Sequence, residues 1–153
     1  MHLYLIRHAH AVDGDDDAAR PLSAKGRKQS RKLGRFLHQA KAFDAVEIWH
    51  SPLRRARETS ALLAKHLKTK AKLTAVSGLL PDDPGDSIIE KLLAARRTVA
   101  VVGHEPHLSA LASLLVAGKA APPHFVFKKC AALRLDRVED GWAVRWHVSP
   151  ELV

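Results

Sequence analysis

Three short stretches of the sequence carry residues that could act together on an anionic ligand: Arg7-His8, Ser51-Pro52 with Arg55 one helical turn on, and Gly103-His104. An imidazole has a reference pKa of roughly 6.5, so near pH 7 it is mostly neutral and nucleophilic. Cations beside it, here Arg7 and Arg55, disfavour its protonated form further. Guanidinium groups grip a phosphate through paired donors and stabilise the charge on its equatorial oxygens during transfer. The chemistry suggested is therefore phosphoryl transfer to His8, with Arg7, Arg55 and His104 around the phosphorus.

That reading requires elements that bring the three stretches to one place, and the sequence supplies them. Strand-like and helix-like segments alternate, which predicts an α/β fold with a mostly parallel sheet. Leu3–Ile6, Val46–Trp49, Leu73–Val76 and Thr98–Val102 read as strands, and each of the three stretches follows one of them. In open α/β sheets ligands bind outside the carboxyl ends of the strands, so a parallel arrangement gathers Arg7, His8, Arg55 and His104 in one pocket. Helices are expected after Ser23 as cap, with Leu33, Phe36, Leu37 and Ala40 on one face, then with Pro52 in the first turn, around Ile88–Ala95, and from Pro106 to Gly118. The helix starts after Ser51 and near Pro106 would add backbone N–H groups that favour an anion. The tail reads as a hairpin turning at Asp140-Gly141, with Trp142, Val144, Trp146 and Val148 on one face.

With 153 residues the chain is expected to form one domain, 1–153, around a real core. It has 25 Lys plus Arg against 16 Asp plus Glu, a formal charge of +9 that favours anionic partners. The single cysteine, Cys130, excludes an internal disulfide framework and reads as a small buried side chain. No segment resembles a signal peptide or spans a bilayer, so the expected compartment is the cytoplasm, with no membrane partner.

The motifs resemble those of a known family. Leu5-Ile6-Arg7-His8 is similar to the Arg-His signature of the histidine phosphatase superfamily, which includes the phosphoglycerate mutases. Ser51-Pro52-Leu53-Arg54-Arg55-Ala56-Arg57-Glu58-Thr59 is similar to its Ser-Pro-x-x-Arg-Ala-x-x-Thr motif, and Val102-Gly103-His104 resembles its second-histidine motif. Arg20-Pro21-Leu22-Ser23-Ala24-Lys25-Gly26 and the terminal Trp146-His147-Val148-Ser149-Pro150 narrow the resemblance to the SixA-type phosphohistidine phosphatases. It implies a three-layer α/β/α sandwich of phosphoglycerate mutase type, without large helical insertions and with no metal or other cofactor. It also implies His8 as nucleophile, and Arg7, Arg55 and His104 as catalytic and phosphate-binding residues, joined by Arg20. The substrate would be a phosphorylated protein, such as a histidine phosphotransfer protein, or a small phosphorylated metabolite.

Two positions depart from the pattern. His10 is unusual after Arg-His-Ala. Many relatives carry a proton-donating glutamate after the third strand, where this chain reads Ser77-Gly78-Leu79-Leu80-Pro81; the nearest acids are Asp82, Asp83 and Asp86. An alkoxide leaving group needs such an acid more than the imidazole of a phosphohistidine does, so the gap points to a phosphoramidate substrate.

Other readings compete. His8-Ala9-His10 with nearby Asp13 could open a metal-dependent hydrolase, because residues i and i+2 of a strand share a face; adjacent Arg7 opposes a divalent cation there. Lys25, Arg27, Lys28, Arg31 and Lys32 could form a non-enzymatic polyanion-binding face, but read more simply as a solvated helix surface. Without a nucleic-acid motif, no nucleic-acid partner is expected. Arg20 could equally make a salt bridge to Asp13 or Asp15. His2, His38, His66, His107, His124 and His147 carry no signal beyond surface or packing roles, and Trp49, Trp142 and Trp146 read as packing.

Overall fold

Alternation along the strands decides the architecture. In the first strand, β1 (His2–Arg7), Leu3 and Leu5 point to one side of the sheet and Tyr4 and Ile6 to the other, all fully buried. A strand apolar on both faces must be covered on both. The computed structural model, which describes residues 1–153, meets that demand with helices on each side. These are α1 (Ala24–Gln39) and α2 (Arg54–Leu67) on one face, α3 (Asp86–Ala95) and α4 (His107–Ala117) on the other.

The remaining strands are β2 (Glu47–His50), β3 (Lys72–Ala75), β4 (Val99–Gly103), β5 (Ala132–Val138) and β6 (Gly141–Val148). Their order in the sheet is β3-β2-β4-β1-β5-β6. The first four run parallel, and β5 and β6 form an antiparallel hairpin against β1. Leu33 and Leu37 of α1 and Leu63 of α2 pack on Tyr4, Ile6, Ala100 and Val102. Ile88 and Leu92 of α3 and Leu108 and Leu111 of α4 pack on Leu3, Leu5, Val99 and Val101. The result is the three-layer α/β/α sandwich with a mostly parallel sheet. None of its helices is long and apolar enough to cross a membrane.

Local chemistry sets the element ends. Ser23 caps α1 by accepting the Gly26 N–H at 3.0 Å, and Gly118, at φ 79°, ends α4. Gly34 lets α1 close on α2: a Cβ there would come within 2.7 Å of the His66 Cβ.

Several expectations need correction. Phe36 and Ala40 lie on the solvent side of α1, whose inner face is Gly26, Ser30, Leu33, Gly34 and Leu37. Helix α2 begins at Arg54, so Pro52 stands outside its first turn. In the hairpin the tight turn is Glu139-Asp140, with Gly141 already paired. A bulge there pairs Arg134 with Trp146 but Leu135 with Val144, skipping Arg145. One extra residue flips the side-chain alternation. Trp142 consequently joins the core under α3 and α4, while Trp146 and Val148 pack on the opposite face.

Candidate active site

Neighbouring strands β2, β4 and β1 end at the same edge of the sheet, and the residue after each end is polar and buried: Ser51, His104 and His8. His8 is held by backbone on two sides. Its N–H donates to the Gly103 carbonyl at 2.9 Å, and its carbonyl accepts from Cys130 N–H at 3.2 Å. The side chain is only 4% exposed, and its Nδ1 lies 2.7 Å from the Ala9 carbonyl oxygen. A carbonyl can only accept, so the ring proton sits on Nδ1 and the lone pair on Nε2. Burial, with Lys129, His104 and Arg55 adding to it, pushes the His8 pKa down to about 2; only the Ala9 carbonyl opposes the shift. His8 is thus a neutral imidazole at any physiological pH.

The His104 ring lies 5.0 Å from that of His8, centroid to centroid. Its Nε2 is 2.5 Å from Ser51 Oγ. Ser51 Oγ also accepts the Leu53 N–H at 3.3 Å. The other ring nitrogen, Nδ1, is a buried atom without a partner. Burial, and then Arg55, lower the His104 pKa to about 3.

The arginines differ in how they are held. Arg7 donates from one terminal nitrogen to the Phe127 carbonyl at 2.7 Å, while its buried Nε has no partner. Arg55 is 5% exposed; it reaches the Asp17 carbonyl at 2.9 Å and the Asp17 carboxylate at 3.3 Å. Arg20 binds the same carboxylate at 2.9 Å and the Val12 carbonyl through Nε. The expected salt bridge of Arg20 therefore exists, but with Asp17, not with Asp13 or Asp15. Asp17 ties the two arginines together at the mouth of the site.

Thr59, the last residue of the Ser-Pro motif, joins the first and second motifs. Its hydroxyl accepts the Ala9 N–H at 3.0 Å and donates to the Arg55 carbonyl at 2.7 Å. His10 turns away into the start of α1, where its Nδ1 meets Ser23 Oγ at 2.6 Å. Gly26 permits that approach, since a Cβ would fall 2.0 Å from the His10 carbonyl oxygen. His8 and His10 do not converge on a common point with a third ligand; no group of three His, Cys, Asp or Glu side chains stands together anywhere in the chain. Of the acids after β3, Asp83 accepts the Leu80 N–H, and Asp86 opens α3. At α4 the N-terminal N–H of Ser109 is taken by the Glu105 carboxylate at 2.9 Å, so this helix end is not a free anion site.

The residues missed by sequence reasoning are Asp17, described above, and Lys129. Because β5 runs antiparallel to β1, its lead-in Lys128-Lys129 arrives at the edge where the parallel strands end. Burial, with Arg7, Arg20 and Arg55 adding to it, lowers the Lys129 pKa to about 8. The signal in the sequence was a pair of lysines leading into an apolar strand, and only the pairing partner of that strand gives it meaning.

A family model of the histidine phosphatase superfamily, branch 1, matches residues 3–79, half of the chain. The chain belongs to the histidine phosphatase superfamily. Phosphohistidine phosphatase SixA of Escherichia coli K12 is 26% identical over 98% of this chain and 94% of its own length. The solved structure of the protein histidine phosphatase SixA complexed with tungstate superposes with a TM-score of 0.88, at 23% identity and 99% coverage of both chains. The alpha-ribazole phosphatase of Shigella flexneri shares the fold at a TM-score of 0.81 and 18% identity, over 98% of this chain and 97% of its own. This superfamily member is a hydrolase.

Proposed function

We propose that the chain is a phosphohistidine phosphatase in which His8 Nε2 takes the phosphoryl group from a phosphorylated histidine of a protein. The observation that carries this is the locked tautomer: Nδ1–H donates to the Ala9 carbonyl, leaving Nε2 as a neutral nucleophile beside Arg7, Arg55 and His104. The Nε2 lone pair attacks phosphorus as the bond from phosphorus to the substrate imidazole breaks, and that imidazole leaves with a proton from solvent. Water then attacks the phosphorus carried on His8, releasing inorganic phosphate and restoring the lone pair. Arg7 Nε, buried without a partner, is a donor for the equatorial oxygens, with Arg55 and His104 completing the set. Arg20 acts through Asp17, which orients Arg55.

The substrate class follows from what surrounds the leaving group. Asp82, Asp83, Asp86 and Glu105 make no hydrogen bond to the site residues, and Asp83 and Glu105 are spent on nearby backbone N–H groups; Asp17, at the mouth, is held ionised by Arg20 and Arg55 and so has no proton to give. An imidazole leaves without strong acid assistance, unlike an alkoxide, so the arrangement suits an N–P bond better than a phosphate ester.

The test offers a phosphohistidine protein, a phosphoserine peptide and a sugar phosphate to the wild type and to His8→Ala. Turnover of the first should exceed the others clearly, and the variant should lose at least about 10³-fold in kcat. Equal rates on all three would overturn the substrate while leaving the nucleophile standing; full activity in the variant would overturn the nucleophile.

A further inference from the structure

A second basic feature adjoins the pocket, and apart from Arg7 its residues take no part in the chemistry described above. It is an open cavity of about 610 Å³ with no hydrophobic residue in its wall. Arg7, Lys25, Lys28, Lys32, Lys128 and Lys129 line it, against one carboxylate, Glu151. Lys25, Lys28 and Lys32 project from one side of α1 at spacings of three and four residues, a row about 10 Å long. They make no salt bridge; the Glu151 carboxylate is taken by Lys128 at 2.8 Å. Arg7 and Lys129 belong to this trough and to the phosphate pocket alike, so the two are continuous.

We infer that this trough docks the acidic surface that flanks the phosphorylated histidine on a protein substrate, its carboxylates meeting Lys25, Lys28 and Lys32. The inference rests on the phosphohistidine reading given above. Three features select this occupant. Apart from Pro150 and the lysine stems, the walls lack the aliphatic and aromatic side chains with which small-ligand sites enclose a metabolite. They also lack the aromatic platform on which single-stranded nucleic acid stacks. And charges spread along two helical turns match a row of carboxylates on a protein face better than one compact anion.

The experiment uses two synthetic peptides of equal length, each phosphorylated on one histidine, one flanked by Asp and Glu and the other by Asn and Gln. The wild type should hydrolyse the acidic peptide with a kcat/KM about tenfold higher at low salt. That preference should vanish near ~1 M salt, where the screening length falls to about 3 Å. In Lys25→Gln/Lys28→Gln/Lys32→Gln the ratio should drop to about one, with the neutral peptide cleaved as by the wild type. Should the triple variant fold poorly in a thermal melt, Lys28→Glu alone should cut the preference about threefold. A preference that survives these substitutions, or is absent in the wild type, overturns the docking role while the phosphohistidine reading stands. Salt-sensitive oligonucleotide binding lost in the variant, without any acidic-peptide preference, overturns it in favour of a nucleic-acid face. If the wild type cleaves neither peptide yet turns over a phosphate ester, the phosphohistidine reading fails and the docking role falls with it.

Discussion

The phosphate pocket and the lysine trough share a sign of charge and a border, yet they are built on opposite principles. In the pocket the imidazoles and Arg55 are buried, Arg7 is half-buried, and backbone pins them: Arg7 to Phe127, Arg55 to Asp17, His8 to Ala9. Burial removes water from these groups, so the proposed contacts with a phosphate would be strong and fixed in geometry in advance. In the trough, Lys25 and Lys28 are exposed and unpaired, on long flexible stems. Such charges attract from a distance but hold no fixed geometry, and salt weakens them. Burial converts positive charge into an instrument of catalysis; exposure leaves it as an instrument of encounter.

The sharpest way to break this contrast is to alter geometry in the pocket while keeping charge. Arg55→Lys preserves the cation but loses the planar fork, and kcat/KM toward a phosphohistidine peptide should fall about 10²-fold. A loss as small as that caused by removing one trough lysine would mean that the pocket also works by charge alone.

The next test concerns stability. His8 and His104 have folded pKa values of about 2 and about 3, far below the roughly 6.5 of the unfolded chain. Between those limits the unfolded chain binds protons that the native state refuses, so stability is full above about pH 6.5 and is lost as pH falls. The slope approaches about 1.4 kcal/mol per pH unit for each buried neutral histidine. Urea midpoints measured between pH 8 and pH 5 should show this decline, and His8→Gln should flatten it by about one proton. The trough lysines should leave it unchanged.

Lys129 stands on the border, and its effect should be the smallest. Its pKa of about 8 means that the free enzyme loses this charge as pH rises past 8. The value of kcat/KM, which reports groups of the free enzyme, should therefore fall several-fold between pH 7 and 9. Lys129→Met should start lower and lose that fall; an unaltered pH profile would assign Lys129 to the trough alone.

Much of the site could be read in the chain because it is local. Arg7-His8 and Gly103-His104 each follow a buried apolar run, and the parallel arrangement of those runs converges them by a rule of α/β sheets. Arg55 needed the Ser-Pro motif to separate it from Arg54 and Arg57, and the structure explains the difference: Arg55 lies inside against Asp17, while Arg54 pairs with Glu58 at 2.8 Å on the surface. The hairpin was legible as a hairpin, yet its faces were not. A bulge has no periodic signature, and one skipped residue moved Trp146 to the other side of the sheet.

The sequence by itself determined the strands, the nucleophile candidate and the candidate phosphate-binding residues Arg7, Arg55 and His104, because apolar periodicity and chemically distinctive residues are properties of short segments. Only the tertiary structure decided the tautomer of His8, the Asp17 link between Arg20 and Arg55, and the arrival of Lys129 and the α1 lysines beside Arg7. Those depend on distances between segments far apart in the chain. Such distances are set by strand order and burial, which no single segment encodes.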